Sequence, residues 1–356
     1  MIDELEALVA VESPSDDDEA TAAAARHVDD LFAEHLGSRG TWIADGPRGH
    51  LLWSGGGPLE VLLLGHVDTV WPHGTTARWP FAVTDGKATG PGAFDMKAGL
   101  LQGIWALKSL DDLTGVGFLV TTDEEVGSPT SRALIEDTAR GARACLVLEP
   151  SADGALKTTR KGVSVYNLVV HGRAAHAGLE PERGANAAVE LAHQVLAVLG
   201  LADVAAGTTV TPTVLTAGTT TNTVPARASV AIDVRAAEPA EQLRVDAALR
   251  SLVAKVPGAT LELRGGPNRP PLPTSSSADL LQRARRITAE LGLPPLTDVA
   301  VGGGSDGNFT AGIGVPTLDG LGAVGAGAHA EGEHVLVEAM PQRAALVAGL
   351  VRELLS

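Results

Sequence analysis

The residues able to do hydrolytic chemistry fall at the ends of short apolar runs. Val61-Leu62-Leu63-Leu64 leads into Gly65-His66-Val67-Asp68, Val116 to Thr122 leads into Asp123-Glu124-Glu125, and Leu146-Val147-Leu148 leads into Glu149-Pro150. Continuous apolar runs of this length read as strands buried on both faces of an α/β sheet. In open α/β sheets, sites form outside the carboxyl ends of the strands. Three strand ends offering histidine or carboxylate would therefore converge on one place.

His66 and Asp68 are two apart, so in extended chain they point the same way, and the carboxylate can orient the imidazole through its second N–H. Asp95, in Gly90-Pro91-Gly92-Ala93-Phe94-Asp95-Met96-Lys97-Ala98-Gly99, stands where a helix is predicted to begin, and a helix N-cap is its plain alternative. Glu124-Glu125 reads either as a solvated loop or as a pair that divides the labour of a metal hydrolase. In the second reading one carboxylate binds metal while the other takes a proton from water. His329 follows the apolar Gly314-Val315-Pro316-Thr317-Leu318, and His176 lies in Gly172-Arg173-Ala174-Ala175-His176-Ala177-Gly178. His27, His35, His50, His73, His171 and His193 read as surface or structural. Ser305 lacks the strand-turn-helix setting of a nucleophile.

The elements that must hold these residues follow from periodicity. Leu5, Leu8, Val9, Val28, Leu31, Phe32 and Leu36 recur at helical spacing, and Met96 to Leu110 reads as a covering helix. Near Lys161-Gly162 the pattern shifts to alternation, as in the half-exposed antiparallel strand Val163 to Val170. A helix over Ala185–Leu201 follows, then alternating runs at Thr209–Leu215 and Ala228–Arg235, a helix over Glu241–Val256 and a strand at Thr260–Leu263. This small sheet with two helices reads as an insertion. Gly265-Gly266-Pro267-Asn268-Arg269-Pro270-Pro271-Leu272-Pro273 reads as a linker. The expected organisation is a first catalytic part over 1–161, an inserted domain over 162–268 and a second catalytic part over 269–356.

Composition narrows the partners. The 356 residues are 44% hydrophobic and 20% charged, with a formal net charge of −16. That balance predicts a globular chain and argues against nucleic acid or an anionic membrane as partner. Cys145 is the single cysteine, set in Ala144-Cys145-Leu146-Val147-Leu148, so no intramolecular disulfide forms and a buried, inert thiol is expected. The amino-terminal residues show no basic region followed by an apolar core, and no apolar run is long enough to span a bilayer. A cytoplasmic setting is expected.

Taken together, these motifs resemble the two-zinc peptidases that include glutamate carboxypeptidase, acetylornithine deacetylase, succinyl-diaminopimelate desuccinylase and aminoacylase. Gly65-His66-Val67-Asp68-Thr69-Val70, the Gly90 to Gly99 stretch and Thr122-Asp123-Glu124-Glu125-Val126-Gly127-Ser128 carry the resemblance, in the family's order from about Leu51 to His334. It implies an α/β catalytic domain with a mixed, largely parallel sheet covered by helices, plus an inserted α+β lid and dimerisation domain. His66 and Glu149 resemble the ligands of one zinc, Glu125 and His329 those of the other, and Asp95 the carboxylate bridging both. Cobalt or manganese are possible substitutes. Glu124 resembles the general base and Asp68 the residue orienting His66. Asn222 and Arg235 match carboxylate-anchoring positions. His176 matches a histidine that reaches into the partner's site of a homodimer. Gly302-Gly303-Gly304-Ser305-Asp306-Gly307 looks like the glycine-rich loop lining the substrate pocket. His334 competes with His329 but falls where the family has a variable residue.

Arg160-Lys161-Gly162, the residues around His176 and Glu149 look closest to the glutamate carboxypeptidases. The resemblance implies a metal-dependent hydrolase that cleaves an amide next to a free carboxylate and releases a C-terminal amino acid. The alternative is an N-acyl amino acid deacylase, such as an acetylornithine or succinyl-diaminopimelate hydrolase. A member that had lost catalysis and served as a binding protein would lack a ligand or the base, and none is missing.

Overall fold

The apolar runs form strands. In the computed structural model, which describes residues 1–46 and 48–356, Val61–His66 lies parallel to both Val116–Thr121 and Ala144–Val147. Every residue of the three is buried. Burying each leucine here is worth roughly 1.5–3 kcal/mol, and both faces must be apolar to collect it. Thr317–Leu318 adds a parallel strand beside Ala144–Val147. On the other side, Arg48–Ser54 runs antiparallel to Val116–Thr121 and pairs with Thr41–Asp45. The sheet of six is mixed and largely parallel.

Alternate side chains feed two cores. Leu63, Phe118 and Leu146 pack with the helices Asp18–Leu36, Ala98–Lys108 and Ala339–Leu355. Leu62, Leu64, Leu119 and Cys145 pack with Ile135 and Ala139 of the helix Arg132–Ala139 and with Phe309. Gly99 lets its helix approach the strand end that carries Glu149, since a Cβ there would stand 2.1 Å from the Leu148 carbonyl. Burial pushes the Cys145 thiol up to about 12, so it stays protonated.

The chain divides into two units. One comprises Met1–Arg160, Leu272–Val301 and Ser305–Ser356; the other comprises Lys161–Pro271 and Gly302–Gly304. The second has its own antiparallel sheet, ordered Thr209–Ala217, Arg227–Ala236, Gly162–His171, Thr260–Arg269. Tyr166, Leu168, Val230, Ile232 and Val234 pack there with Leu191 of the helix Ala187–Leu199 and Val245 of the helix Pro239–Arg250.

Several boundaries differ from the sequence expectation. The first helical segment is two helices, Ile2–Ala10 and Asp18–Leu36, the second capped by the Asp17 carboxylate on Glu19 N and Ala20 N. The last strand of the second unit runs to Arg269, so the glycine- and proline-rich stretch begins as paired strand rather than linker. The helix expected from Met96 spans Ala98–Lys108, and the one expected to reach Val256 ends at Arg250. No described helix is long and apolar enough to cross a membrane.

Candidate metal centre

Asp95 stands between two imidazoles. Its Oδ1 lies 3.3 Å from His66 Nε2, and its Oδ2 lies 3.4 Å from His329 Nε2. On the first side, Glu149 Oε1 is 3.5 Å from the same His66 nitrogen. On the second, Glu125 Oε1 is 3.1 Å from His329 Nε2. One carboxylate thus faces two separate histidine–carboxylate pairs, with a different oxygen for each. Donor atoms of His66, Glu124 and Glu149 also lie within 4.8 Å of one another, as do those of His66, Asp95 and Glu125.

Local structure explains how these side chains meet. His66 is the last residue of its strand, and Glu124 and Glu125 open the short turn Glu124–Val126 beyond the adjacent strand. Asp95 sits in an irregular turn, Ala93–Lys97, with φ −113° and ψ 95°. The following helix has Lys97 as its N-cap and no side-chain cap. Asp95 is therefore not a helix cap, because its carboxylate is turned to the imidazoles instead. His329 has a left-handed backbone, φ +62°, between the short strands Gly325–Ala326 and His334–Leu336.

Asp68 is wholly buried and holds more than His66. Its Oδ1 accepts from Glu124 N (3.2 Å), and its Oδ2 accepts from Glu125 N (3.1 Å) and Ser15 Oγ (2.7 Å). The His66 Nδ1 sits 3.0 Å from the Asp68 carbonyl and 3.5 Å from its carboxylate. The carbonyl is thus the nearer partner of the ring, while the carboxylate fixes the turn bearing Glu124 and Glu125.

Arg160 is a residue whose part here the sequence reading missed. Its Nε and Nη2 fork onto Asp319 at 2.8 Å each, and Nη2 also donates to Glu149 Oε2 at 3.2 Å. That bond occupies one oxygen of Glu149 and leaves Oε1 facing His66. The available signal was period two: Leu156, Thr158 and Arg160 are the buried alternates of the strand Leu156–Arg160.

Electrostatics tests whether a cation fits. Burial, the largest influence on His66, opposes its charge, yet Asp68, Asp95 and Glu149 together pull its pKa well above the usual histidine range. Asp95 and Glu125 overcome burial at His329 and lift it to about 10. Buried carboxylates that draw protons onto both rings are short of positive charge. Among the described residues, His66 Nε2 and Asp95 Oδ1 are both buried without a hydrogen-bond partner. Orphaned donor atoms of this kind, all nitrogen or oxygen, suit divalent metal ions. The residues fit such a group.

The profile of peptidase family M20/M25/M40 matches residues 62–353. The chain is 32% identical to carboxypeptidase G2 of Pseudomonas sp. (strain RS-16), over 99% of this chain and 89% of that protein. The chain belongs to peptidase family M20/M25/M40. It is accordingly an enzyme, a hydrolase of the metallopeptidase class. A succinyl-diaminopimelate desuccinylase of Methylorubrum populi is 31% identical, over 79% of this chain and 78% of that one. The M20 family metallo-carboxypeptidase Sso-CP2 from Sulfolobus solfataricus shares the fold, with a TM-score of 0.77 at 16% identity over 98% of this chain and 97% of that one.

The other sites expected of an M20 enzyme lie in the second unit. His176 is exposed, and its Nδ1 accepts from Gly178 N at 3.1 Å. Asn222 is exposed, and its carbonyl accepts from Ala177 N at 2.9 Å, tying the two segments together. Arg235 is forked onto Asp233, with Nε on Oδ1 at 2.9 Å and Nη2 on Oδ2 at 2.8 Å. A substrate carboxylate at Arg235 would thus share it with Asp233. His334 has its Nδ1 3.2 Å from the Gly332 carbonyl.

Proposed function

We propose that this protein is a two-metal carboxypeptidase that cleaves an amide beside a free carboxylate and releases a C-terminal amino acid. The observation that carries the reading is the division of Asp95, one oxygen toward His66 and the other toward His329. Two divalent ions, zinc by preference with cobalt or manganese as substitutes, would be held by His66 and Glu149, by Glu125 and His329, and by Asp95 between them. When bound they would supply Lewis acidity toward the scissile carbonyl and the attacking water. Glu124 takes a proton from that water as its oxygen bonds to the carbonyl carbon. It then passes the proton to the amine nitrogen as the C–N bond breaks. Asn222 and Arg235 hold the free carboxylate, the arginine through the edge of its planar guanidinium that Asp233 does not occupy.

The identity with carboxypeptidase G2 over nearly the whole chain supports this direction of cleavage. The desuccinylase relatives favour a second reading, an N-acyl amino acid deacylase using the same residues. A panel of N-acyl amino acids and dipeptides, each as free acid and as amide, tests the reading. Charge-assisted hydrogen bonds contribute roughly 1.5–3 kcal/mol each, so losing two should lower kcat/KM on the order of 10²-fold or more in the amidated series. Equal rates for acids and amides would overturn the carboxylate-directed reading. Cleavage confined to N-acetyl and N-succinyl compounds would select the deacylase.

The same reading makes the enzyme a homodimer in which His176 serves the partner's site. The strand Thr209–Ala217 lies at a sheet edge, with Val214 and Leu215 exposed, and the helix Ala187–Leu199 exposes Leu196 and Leu199. An edge strand beside exposed apolar side chains is a surface that pairing would cover. His176 there donates a hydrogen bond to the oxyanion as water attacks. Mixing His176→Ala with Glu124→Gln subunits should restore roughly a quarter of wild-type activity, since half of randomly exchanged dimers are mixed and each has one intact site. Absence of recovery after demonstrated subunit exchange would rule out action in trans. A cytoplasmic setting accords with a single, buried cysteine.

A further inference from the structure

Glu333 is wholly buried beneath the hairpin that carries His329. Gly325–Ala326 and His334–Leu336 pair as that hairpin's strands. Its loop is closed by Ala330 N on Gly327 O at 2.9 Å and Glu333 N on Ala330 O at 3.0 Å. Gly327 is in the left-handed region, φ +89°, and a Cβ there would stand 2.9 Å from Glu333 Cα, so the loop folds directly onto the base of Glu333. From that base the side chain reaches two other segments. Its Oε1 accepts from Phe94 N at 3.0 Å, and its Oε2 accepts from Trp71 Nε1 at 2.9 Å. Phe94 immediately precedes Asp95, and Trp71 follows the strand end that carries His66 and Asp68.

We infer that Glu333 is a positioning residue that sets the spacing between His329 and Asp95, and thereby the geometry of the second metal position. The inference rests on the two-metal reading above. His329 sits on an exposed loop tip, its side chain half exposed, with little packing of its own to place it. The exposed Arg78–Glu331 pair on the same loop contributes little to fixing it. Glu333 is different, because both its oxygens are desolvated and both are satisfied by donors from the other segments. Displacing either segment leaves a buried acceptor or donor unpaired, a cost of about 1–3 kcal/mol. The carboxylate, tied at both oxygens, therefore behaves as a spacer of fixed length rather than as a metal-binding group.

Zinc affinity, measured by competition with a chromophoric chelator, tests this in wild type, Glu333→Gln and Trp71→Phe, with the melting temperature of each metal-free protein taken alongside. In Glu333→Gln the amide nitrogen must face one of two donors, so one bond is lost. In Trp71→Phe the carboxylate stays and one donor goes. Groups that orient metal-binding side chains change affinity by about 10- to 100-fold. That loss is expected for the weaker zinc equivalent in Glu333→Gln, with a smaller loss in the same direction in Trp71→Phe, and kcat should recover at saturating zinc. Lower melting temperatures with zinc affinity unchanged would overturn the inference and leave Glu333 a structural residue. Should Glu333→Gln not fold, unchanged affinity in Trp71→Phe alone would overturn it. Wild-type protein that binds fewer than two zinc ions would overturn the two-metal reading and this inference with it.

Discussion

Replacing Glu124 by glutamine is expected to cut turnover roughly 10²–10⁴-fold, the scale of a lost general base, while both metal ions stay bound. Glutamine keeps the shape of the side chain and one oxygen but cannot take up the proton. The backbone at Glu124 is tied by its N–H to Asp68 Oδ1, so the substitution should not move the turn. Glu124 nonetheless lies in one cluster with His66 and Glu149, which makes metal content as informative as rate. Elemental analysis beside kcat separates the roles. A glutamine variant that loses metal would make Glu124 a ligand, and near-normal turnover with full metal would leave the base to another group.

Asp95→Ala should remove metal from both positions at once. Each oxygen of Asp95 faces a different imidazole, so truncation strips one donor from each set and leaves His66 with Glu149 and His329 with Glu125. The loss should exceed the 10- to 100-fold seen when only an orienting partner is removed. Fewer than one ion per chain should survive gel filtration, against two in wild type, and hydrolysis should fall with metal content. Two retained equivalents would remove the bridging assignment. Loss of a single equivalent would make Asp95 a ligand of one position only.

The strands that carry His66, Glu124, Glu125 and Glu149 were legible in the sequence because strands buried on both faces must be apolar throughout, and chemistry then stands out where the run stops. The second unit was legible from its change to alternation. What escaped has specific causes. The turn Ala93–Lys97 has no periodicity, so Asp95 looked as though it opened a helix that in fact begins three residues later. Gly265–Arg269 reads as linker by composition, yet pairs along Val163–Tyr166 because backbone bonds do not depend on side-chain type. Arg160 and Glu333 act through residues distant in the chain, at Asp319 and Phe94. Local patterns carry no trace of such long-range pairings.

The chain has one thiol, Cys145, and it lies unexposed inside a central strand with its pKa pushed up to about 12. Maleimide dyes and nitroxides react with exposed thiolates, so the native protein offers them no target. A cysteine introduced at an exposed position, such as Val204 in the second unit or Val83 in the first, would be labelled alone, with no prior removal of native cysteines. Resonance energy transfer or dipolar spectroscopy between such labels would then compare label-to-label distances with and without substrate in an otherwise unmodified enzyme.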